Sequence, residues 1–173
     1  MGPAEAEPQA EPIAVVGLGC RFPGASSPAA FWELLRQGRA AIREVPPSRW
    51  DADRWYDPQL ADPRKANTKW GGFLDRIEDF DPRFFGLSAS EAAEMDPQQR
   101  LVLEVAWEAL EEAGMPPEGL AGTETGVFLG VCNWDFSRLS DEAPRRGATG
   151  LALSIAANRL SYFLDLHGPS LVV

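Results

Sequence analysis

The chain has 173 residues, and its 16 Lys and Arg against 26 Asp and Glu give a formal net charge of −10. Hydrophobic residues make up 45% of it and charged residues 24%, which is typical of globular domains and excludes an acidic disordered tail. This length indicates one domain or a large part of one. Nucleic acid is not expected as a partner, because phosphate binding needs clustered Lys and Arg.

The sequence carries no signal for a membrane or for secretion. No apolar run reaches the roughly eighteen residues that a membrane span needs. Residues 1–11 contain three glutamates and no basic residue, unlike a secretory signal, and we interpret them as a flexible leader. The two cysteines, Cys20 and Cys132, are too few for a disulfide framework. A cytoplasmic, reduced location is therefore predicted.

A short apolar run followed by glycines opens the ordered part of the chain. Residues 13–16 are continuously apolar and stop at Gly17 and Gly19, which predicts a strand buried on both faces. This order invites comparison with the dinucleotide-binding pattern G-x-G-x-x-G. Phe22 stands where the third glycine would be and would block close helix–strand packing. We interpret the glycines as a tight turn, and a nucleotide-binding α/β enzyme remains an alternative.

A helix signal follows, and then a long aromatic stretch. Ser27 and Pro28 fit an N-cap and a first helical position, and Gly38 fits a helix end. Residues 43–86 contain prolines that prevent long helices and too many rings for a disordered linker. We therefore predict an ordered excursion pinned to a core by its aromatic side chains. The inward residues predicted for the helix are Phe31, Leu34 and Leu35.

Two start signals predict a pair of helices with a break between them. Ser88 with Glu91 fits a capping box, and Asp96 followed by Pro97 is a second N-terminus. The second helix is predicted over residues 97–113, with Gly114 as its stop. The residues that keep its helical period are Val102, Val105, Ala106, Ala109, Leu110 and Ala113.

The remainder alternates strand and helix, which is typical of an α/β domain. Residues 125–131 predict a second buried strand, a polar loop runs to Gly147, and residues 154–163 predict a helix. A turn at residues 165–169 leads into the apolar, β-branched run 171–173. The helix residues predicted to face inward are Ile155, Ala156, Leu160 and Phe163. Because natural termini are usually polar, we expect that the polypeptide is truncated and that an element is missing after Val173.

The candidate reactive residues do not form a recognisable site. Cys132 follows a predicted strand, where α/β folds place ligands, but a thiolate nucleophile needs a base or a helix N-terminus. The sole imidazole is His167, in a turn. Two Cys and one His at these separations do not fit a zinc site. We interpret Cys20 and Cys132 as small buried residues and His167 as a turn side chain, so residue chemistry alone names no reaction.

Ordered motifs carry a family resemblance. The most specific are Met-Asp-Pro-Gln-Gln-Arg-Leu at 95–101, with residues 104–111, and Asn-Arg-Leu-Ser-Tyr-Phe at 158–163, with residues 168–170. From Pro12 onward the chain resembles the N-terminal half of a ketosynthase (β-ketoacyl synthase) domain of a modular type I polyketide synthase. Further matching motifs lie at residues 11–24, 31–35, 45–50, 71–74 and 80–85.

The resemblance implies a fold and a reaction. It implies the α/β thiolase-like fold, in which two similar halves build one layered α-β-α-β-α architecture that assembles as a homodimer. Residues 12–173 would be the N-terminal part of this domain. The reaction would be a decarboxylative Claisen condensation of a Cys-bound acyl group with a malonyl-type extender. Both substrates would be presented on the phosphopantetheine arm of an acyl carrier protein, and two histidines would assist. Neither a cofactor nor a metal is expected on this segment.

The same resemblance places the catalytic residues outside this chain. The family nucleophile Cys and both His would lie beyond Val173, so Cys20, Cys132 and His167 match no catalytic position. Residues 133–136 resemble a loop in which the family often has Asp-Tyr. Our hypothesis is a truncated ketosynthase without condensing activity by itself. The alternative is a non-catalytic half-domain that acts as an interaction module, since half-sheets with open edges associate readily.

Overall fold

The computed structural model describes residues 12–133, 136 and 152–173. The predicted leader, residues 1–11, and most of the predicted loop that runs to Gly147 lie outside the described residues. None of the described helices is long and apolar enough to cross a membrane. In chain order the elements are α1 (Pro28–Arg36), β1 (Ile42–Glu44), β2 (Trp70–Gly72), α2 (Ala89–Glu94), α3 (Pro97–Glu112), a 3₁₀ turn (Pro117–Gly119), β3 (Val127–Leu129), α4 (Leu153–Phe163) and β4 (Ser170–Val172).

The predicted limits of helix α1 are confirmed by its caps. Ser27 Oγ accepts a hydrogen bond from the Ala30 amide at 3.2 Å, as an N-cap residue should. Gly38 follows the helix with a φ of +61°, in the left-handed region that favours glycine. Leu34 is buried, but Leu35 is exposed, so the predicted inward face is narrower than the sequence spacing suggests.

The predicted break between two helices is also confirmed. Ser88 Oγ accepts from the Glu91 amide at 3.1 Å and starts α2, while Asp96 Oδ1 accepts from the Gln98 amide at 2.8 Å and starts α3. Each N-cap has extended or non-helical backbone, so the two helices cannot merge. Gly114, with a φ of +64°, follows the end of α3.

The main core lies between α3, α4 and strand β3. Met95 is fully buried at the α2–α3 junction, and Ala157 is fully buried on α4. The sequence analysis named neither residue as part of the core, because Met95 lies in a junction and Ala157 is small. The buried core residues are Phe85, Met95, Leu103, Val127, Ala157, Leu160 and Leu164.

Helix α3 is packed on two sides, which corrects the single apolar stripe predicted for it. Leu103 is buried in the core and Ala106 packs against that core. A different face meets residues 17–20, which we call the glycine segment. A Cβ on Gly17 would overlap the Ala109 carbonyl oxygen and lie 2.8 Å from Ala113 Cβ. The predicted set of apolar residues therefore combines positions from both faces and omits Leu103.

Strands β3 and β4 pair in parallel, but they are covered on one face only. Val127 is opposite Ser170 and Phe128 is opposite Leu171. Helix α4 packs against both strands, whereas Phe128 is 65% exposed and Leu171 is 52% exposed. The prediction that this segment is buried on both faces is therefore wrong for the described residues. We call Phe128, Leu171 and Val173, the last of which is 89% exposed, the open face.

The predicted first strand does not form. Residues 13–16 are in no strand, and the described strands pair only as β1–β2 and β3–β4. Ile13 is 97% exposed and Val15 is 83% exposed. A strand is stabilised by its ladder of hydrogen bonds and by covered faces, and the described residues supply residues 13–16 with neither. The glycines that follow are nevertheless fixed, because they lie against α3.

The aromatic excursion is attached to the core mainly through its last residues. Strands β1 and β2 form an antiparallel pair in which Ile42 is opposite Gly72. Phe85 is buried, with the Phe80 ring stacked on it at 5.1 Å between centroids. Trp50 and Trp70 are about half exposed, so the prediction that the rings pin the whole stretch holds only near Phe85.

The glycine contact with α3 gives a testable consequence. Gly17→Ala should destabilise the chain by about 1–3 kcal/mol, because the added Cβ meets helix backbone that cannot move aside. Gly130→Ala is the matched control, since a Cβ there meets nothing within 4 Å. Thermal and urea unfolding of both variants would measure the effect. Equal stabilities for the two variants would contradict the close packing.

Candidate functional site

The carboxyl edge of the β3–β4 pair is the place where an α/β fold positions ligands. The ladder continues beyond the strands: the Val173 amide donates to Leu129 O at 2.8 Å, and the Val131 amide donates to Val173 O at 3.0 Å. Cys132 and Asn133 follow directly and are exposed. Cys132, Asn133 and Val173 therefore define the candidate site, and we call this place the carboxyl edge.

Cys132 has no histidine partner in this arrangement. The interpretation of Cys132 as buried is wrong, because its position after the ladder leaves it exposed. His167 lies at the opposite, amino end of β4, where its amide donates to Thr123 O at 2.8 Å. Thr123 precedes β3 and Cys132 follows it, so the two lie beyond opposite ends of that strand. No Cys–His dyad exists between them.

His167 remains a turn residue, as predicted. Its Nε2 lies 3.5 Å from Asp165 Oδ1, and both side chains are largely exposed. Asp165 has a φ of +52°, as expected in a tight turn. Among the described residues no group of His, Cys, Asp and Glu could hold a metal ion.

Cys20 lies in the glycine segment and is only half-buried, so its interpretation as a small buried residue needs the same correction. The neighbouring Arg21 forms a two-pronged ion pair with Glu108 of α3, one prong being 2.5 Å. This hydrogen bond to Glu108 raises the pKa of Arg21. The pair ties the segment to the helix, and it gives Cys20 no base.

The glycine segment is also unsuited to a nucleotide phosphate. The Leu18 amide donates to Glu112 Oε2 at 3.0 Å, so an amide that a phosphate would need is already bonded to a carboxylate. Gly17 and Gly19 are required by the approach to α3, where a Cβ on Gly19 would meet Val105. These contacts count against the dinucleotide alternative. The tight-turn interpretation of Gly17 and Gly19 is also wrong, because the turn lies further on, at Pro23 and Gly24, where Gly24 has a φ of +72°.

The first turn of α3 reaches the carboxyl edge through Gln98 and the start of α4 through Gln99. Gln98 Nε2 donates to Asn133 O at 2.8 Å. Gln99, which is buried, donates to Ala152 O at 3.4 Å and accepts from Arg159 Nε at 2.9 Å. The sequence analysis used these residues only as family motifs. The Asp96 cap could have indicated their placement, because it fixes the helix positions of both glutamines.

A cleft of about 430 Å³ lies beside the core, between α2, α3 and α4. Its walls include Phe85, Leu103 and Phe163, and the ion pair of Arg159 with Glu91, 2.8 Å long, forms part of its lining. The residues that line it contain neither cysteine nor histidine. The cleft therefore offers apolar volume and a neutralised charge, without a nucleophile of the kind a condensing reaction needs.

Comparison with known proteins identifies the family. A model of the "Beta-ketoacyl synthase, N-terminal domain" matches residues 10–173. The chain belongs to the β-ketoacyl synthase family. This confirms the resemblance drawn from the sequence motifs.

Curated relatives are polyketide synthases. A phenolphthiocerol/phthiocerol polyketide synthase of Mycobacterium tuberculosis is 49% identical over 170 residues, which cover 94% of this chain and 9% of that protein. A mycocerosic acid synthase-like polyketide synthase of Mycolicibacterium smegmatis is 46% identical over 94% of this chain and 8% of its own length. The chain thus spans less than a tenth of these relatives.

Solved ketosynthases share the fold. The ketosynthase from module 6 of the bacillaene synthase of Bacillus subtilis superposes with a TM-score of 0.83 at 40% identity, covering 92% of this chain and 26% of that one. An oxazolomycin ketosynthase domain of Streptomyces albus gives a TM-score of 0.81 at 40% identity, covering 92% and 28%. The predicted α/β thiolase-like fold, N-terminal half only, is confirmed.

The ketosynthase chain should show a specific pH dependence through Glu104. Burial raises the pKa of Glu104, although Arg21 opposes the shift. The folded state therefore binds this proton more tightly than the unfolded state, and stability falls as the pH rises above the unfolded-state pKa of about 4.3. Glu104→Gln removes that fall, so its Tm relative to the wild type should be higher at pH 7 than at pH 4.

Glu33 on α1 is a second carboxylate, and its effect on stability should depend on pH in the opposite direction. The hydrogen bond from Arg36 lowers the pKa of Glu33, so Glu33 stabilises the fold at pH 7 and loses that contribution on acidification. Glu33→Gln should therefore lower Tm at pH 7 relative to pH 4. Thermal melts of both variants at pH 4 and pH 7 measure these changes. If Tm relative to the wild type changed with pH in the same direction for Glu104→Gln and Glu33→Gln, the opposite pKa shifts of the two carboxylates would be contradicted.

Proposed function

We propose that the chain is the N-terminal part of a ketosynthase domain, residues 12–173, in a polyketide synthase. The domain would catalyse decarboxylative Claisen condensation between an acyl thioester and a malonyl-type extender. The observation that carries the proposal is the parallel β3–β4 pair in a fold that superposes on solved ketosynthases. Its uncovered face and its carboxyl edge are where such a domain would continue.

The proposed reaction needs groups that the described site does not bring together. A thiolate would attack the acyl carbonyl and expel the phosphopantetheine thiol, leaving an enzyme thioester. The extender would lose CO₂, and its carbanion would attack that thioester and release the thiolate. The family resemblance puts the nucleophile and both histidines after Val173. Cys132 and His167 do not substitute for them, since they lie at opposite ends of the strand pair.

This chain's own contribution would be to position the nucleophile segment. Val173 is held in the β3–β4 ladder by hydrogen bonds in both directions. A residue that follows Val173 in a longer chain would leave at the carboxyl edge. The rigid strand pair and α4 behind it would thus fix the point from which the nucleophile is presented, as preorganised catalysis requires.

The open face supports a role as one layer of a larger domain. Phe128 and Leu171 face each other across the strands with more than half of each side chain exposed. Burying such side chains stabilises by about 1.5–3 kcal/mol each. The remainder of the ketosynthase domain would cover this face and gain that energy.

The proposed partners follow from the same domain. The acyl carrier protein would present both substrates on its phosphopantetheine arm, so this segment would bind no cofactor of its own. A homodimer through the condensing domain is proposed because β4 pairs, among the described strands, only with β3. Its second edge therefore has unpaired backbone groups, which can accept another strand.

A non-catalytic interaction module is the second candidate, and the open face favours it as well. Such a module should bind a separate chain and remain a well-behaved complex. Light scattering after size-exclusion chromatography distinguishes this module from an incomplete ketosynthase domain, because only the incomplete domain should self-associate in the absence of another chain. We expect the chain by itself to self-associate through the open face, and Leu171→Asp to reduce that association. A stable monomer for the wild type would count against an apolar face that needs a cover.

Acylation tests the catalytic assignment directly. The chain would be incubated with an acyl thioester and analysed by intact-mass spectrometry. We expect no stable adduct, because in the part of the chain that the structure describes His167 lies at the other end of the strand pair from Cys132 and cannot activate its thiol. A fusion of this chain to the remaining residues of the bacillaene module 6 ketosynthase should gain one acyl group.

Two variants control that experiment. In the fusion, Cys132→Ser should leave acylation unchanged, whereas replacing the family nucleophile should abolish it. An adduct on Cys132 of the chain by itself would overturn the residue assignment. A folded fusion that takes up no acyl group would overturn the proposed condensing function.

A further inference from the structure

Two consecutive glutamines bond the two chain positions that bracket residues 134–151. Gln98 Nε2 donates to Asn133 O at 2.8 Å, and Gln99 Nε2 donates to Ala152 O at 3.4 Å. The first distance is near the optimum for a hydrogen bond, and the second is that of a long, weaker one. One turn of one helix thus contacts both the exit from β3 and the entry to α4.

Asn133 lies outside the strands and helices, and Ala152 stands at the very start of α4. The β3–β4 ladder makes its last hydrogen bond at Val131, two residues before Asn133. Ala152 is the N-cap of α4, and it has no side chain that could cap the helix. Gln98 therefore ties a position that no strand or helix holds, and Gln99 adds a second donor to the Ala152 carbonyl, which also accepts from the Ile155 amide at 3.1 Å.

Charged neighbours fix the orientation of the Gln99 amide. Arg159 Nε donates to Gln99 Oε1 at 2.9 Å, so the amide NH₂ must point the other way, towards Ala152 O. Arg159 is itself held by Glu91 Oε1 at 2.8 Å and its side chain is only 12% exposed. An amide with one orientation is a directed donor.

Asp96 fixes the orientation of the Gln98 amide. Both carboxylate oxygens of Asp96 lie 3.3 Å from Gln98 Nε2, so the NH₂ group, and not the carbonyl oxygen, faces this side. Asp96 is 3% exposed and also caps α3 through the Gln98 amide. The N-cap that places the helix start therefore also aims the first glutamine.

We propose that Gln98 and Gln99 are positioning residues that anchor the two ends of residues 134–151 to helix α3, with one glutamine at each end. Because Asn133 lies at the carboxyl edge, Gln98 fixes the backbone at the candidate site, and Gln99 fixes it at the start of α4. This role does not depend on the condensing reaction, since it concerns how the chain is held.

Limited trypsin digestion tests the two anchors separately. The sequence places Arg138 five residues after Asn133, and Arg145 and Arg146 shortly before Ala152. Gln98→Met removes the first donor and should raise cleavage after Arg138 roughly threefold to tenfold. Gln99→Glu keeps the acceptor for Arg159 and should raise cleavage after Arg145 and Arg146 by a similar factor. These factors correspond to the loss of one hydrogen bond when cleavage follows the opened population.

Cleavage after Arg36 in the same digest is the internal reference, and Tm is measured for each variant. Gln37→Met is the matched control, because this exposed glutamine bonds only within its own region, to Glu33, and should change neither site. Unchanged rates at all three segment sites would overturn the proposal. An equal rise after Arg36 would also overturn it, since that indicates general loosening. If Gln99→Glu lowers Tm, its cleavage rates no longer separate a local change from general loosening. The proposal is then decided by Gln98→Met, because Gln98 is exposed, and by the cleavage rate after Arg138.

Discussion

The close approach of backbone to helix α3 is the constraint on which much of this structure depends. Gly17 and Gly19 bring an extended segment against the carbonyl oxygens of Ala109 and Val105, where no side chain would fit. The opposite side of the helix contributes Leu103 to the core. A helix buried on two sides transmits any shift of its axis to both neighbours, because packed interiors do not deform smoothly.

The start of that helix matters as much as its faces. Asp96 is buried, caps α3, and lies beside the glutamines that contact the carboxyl edge. A single N-cap therefore sets the helix register, and through it the positions of Asn133 and Ala152. Local capping chemistry and the candidate site are linked by one carboxylate.

The β3–β4 pair has an asymmetry that explains how the chain fits its family. One face is packed under α4, and the other exposes Phe128, Leu171 and Val173. Solved ketosynthases are about four times the length matched here, since the match covers 26–28% of those chains. The open face is thus the natural boundary of a layer within a larger domain.

The sequence by itself determined what depends on local chemistry. It predicted the limits of α1 and the break between α2 and α3, because caps and glycines act within a few residues. The turn predicted at Gly17 and Gly19 does not form there, since the turn lies at Pro23 and Gly24. Its motifs also identified the ketosynthase family, which the family comparison confirmed. The residues alone could not decide whether Cys132 and His167 come together, because pairing depends on their positions in space.

Only the tertiary structure decided which surfaces are covered. Apolar content predicted residues 13–16 and the β3–β4 strands as buried, yet Ile13 and Phe128 are exposed, since burial requires a neighbouring element and not only an apolar side chain. Periodicity could not separate the two faces of α3, so Leu103 was missed. The contacts of Gln98 and Gln99 join residues 35 and 53 positions apart, and such distances become short only when the chain has folded.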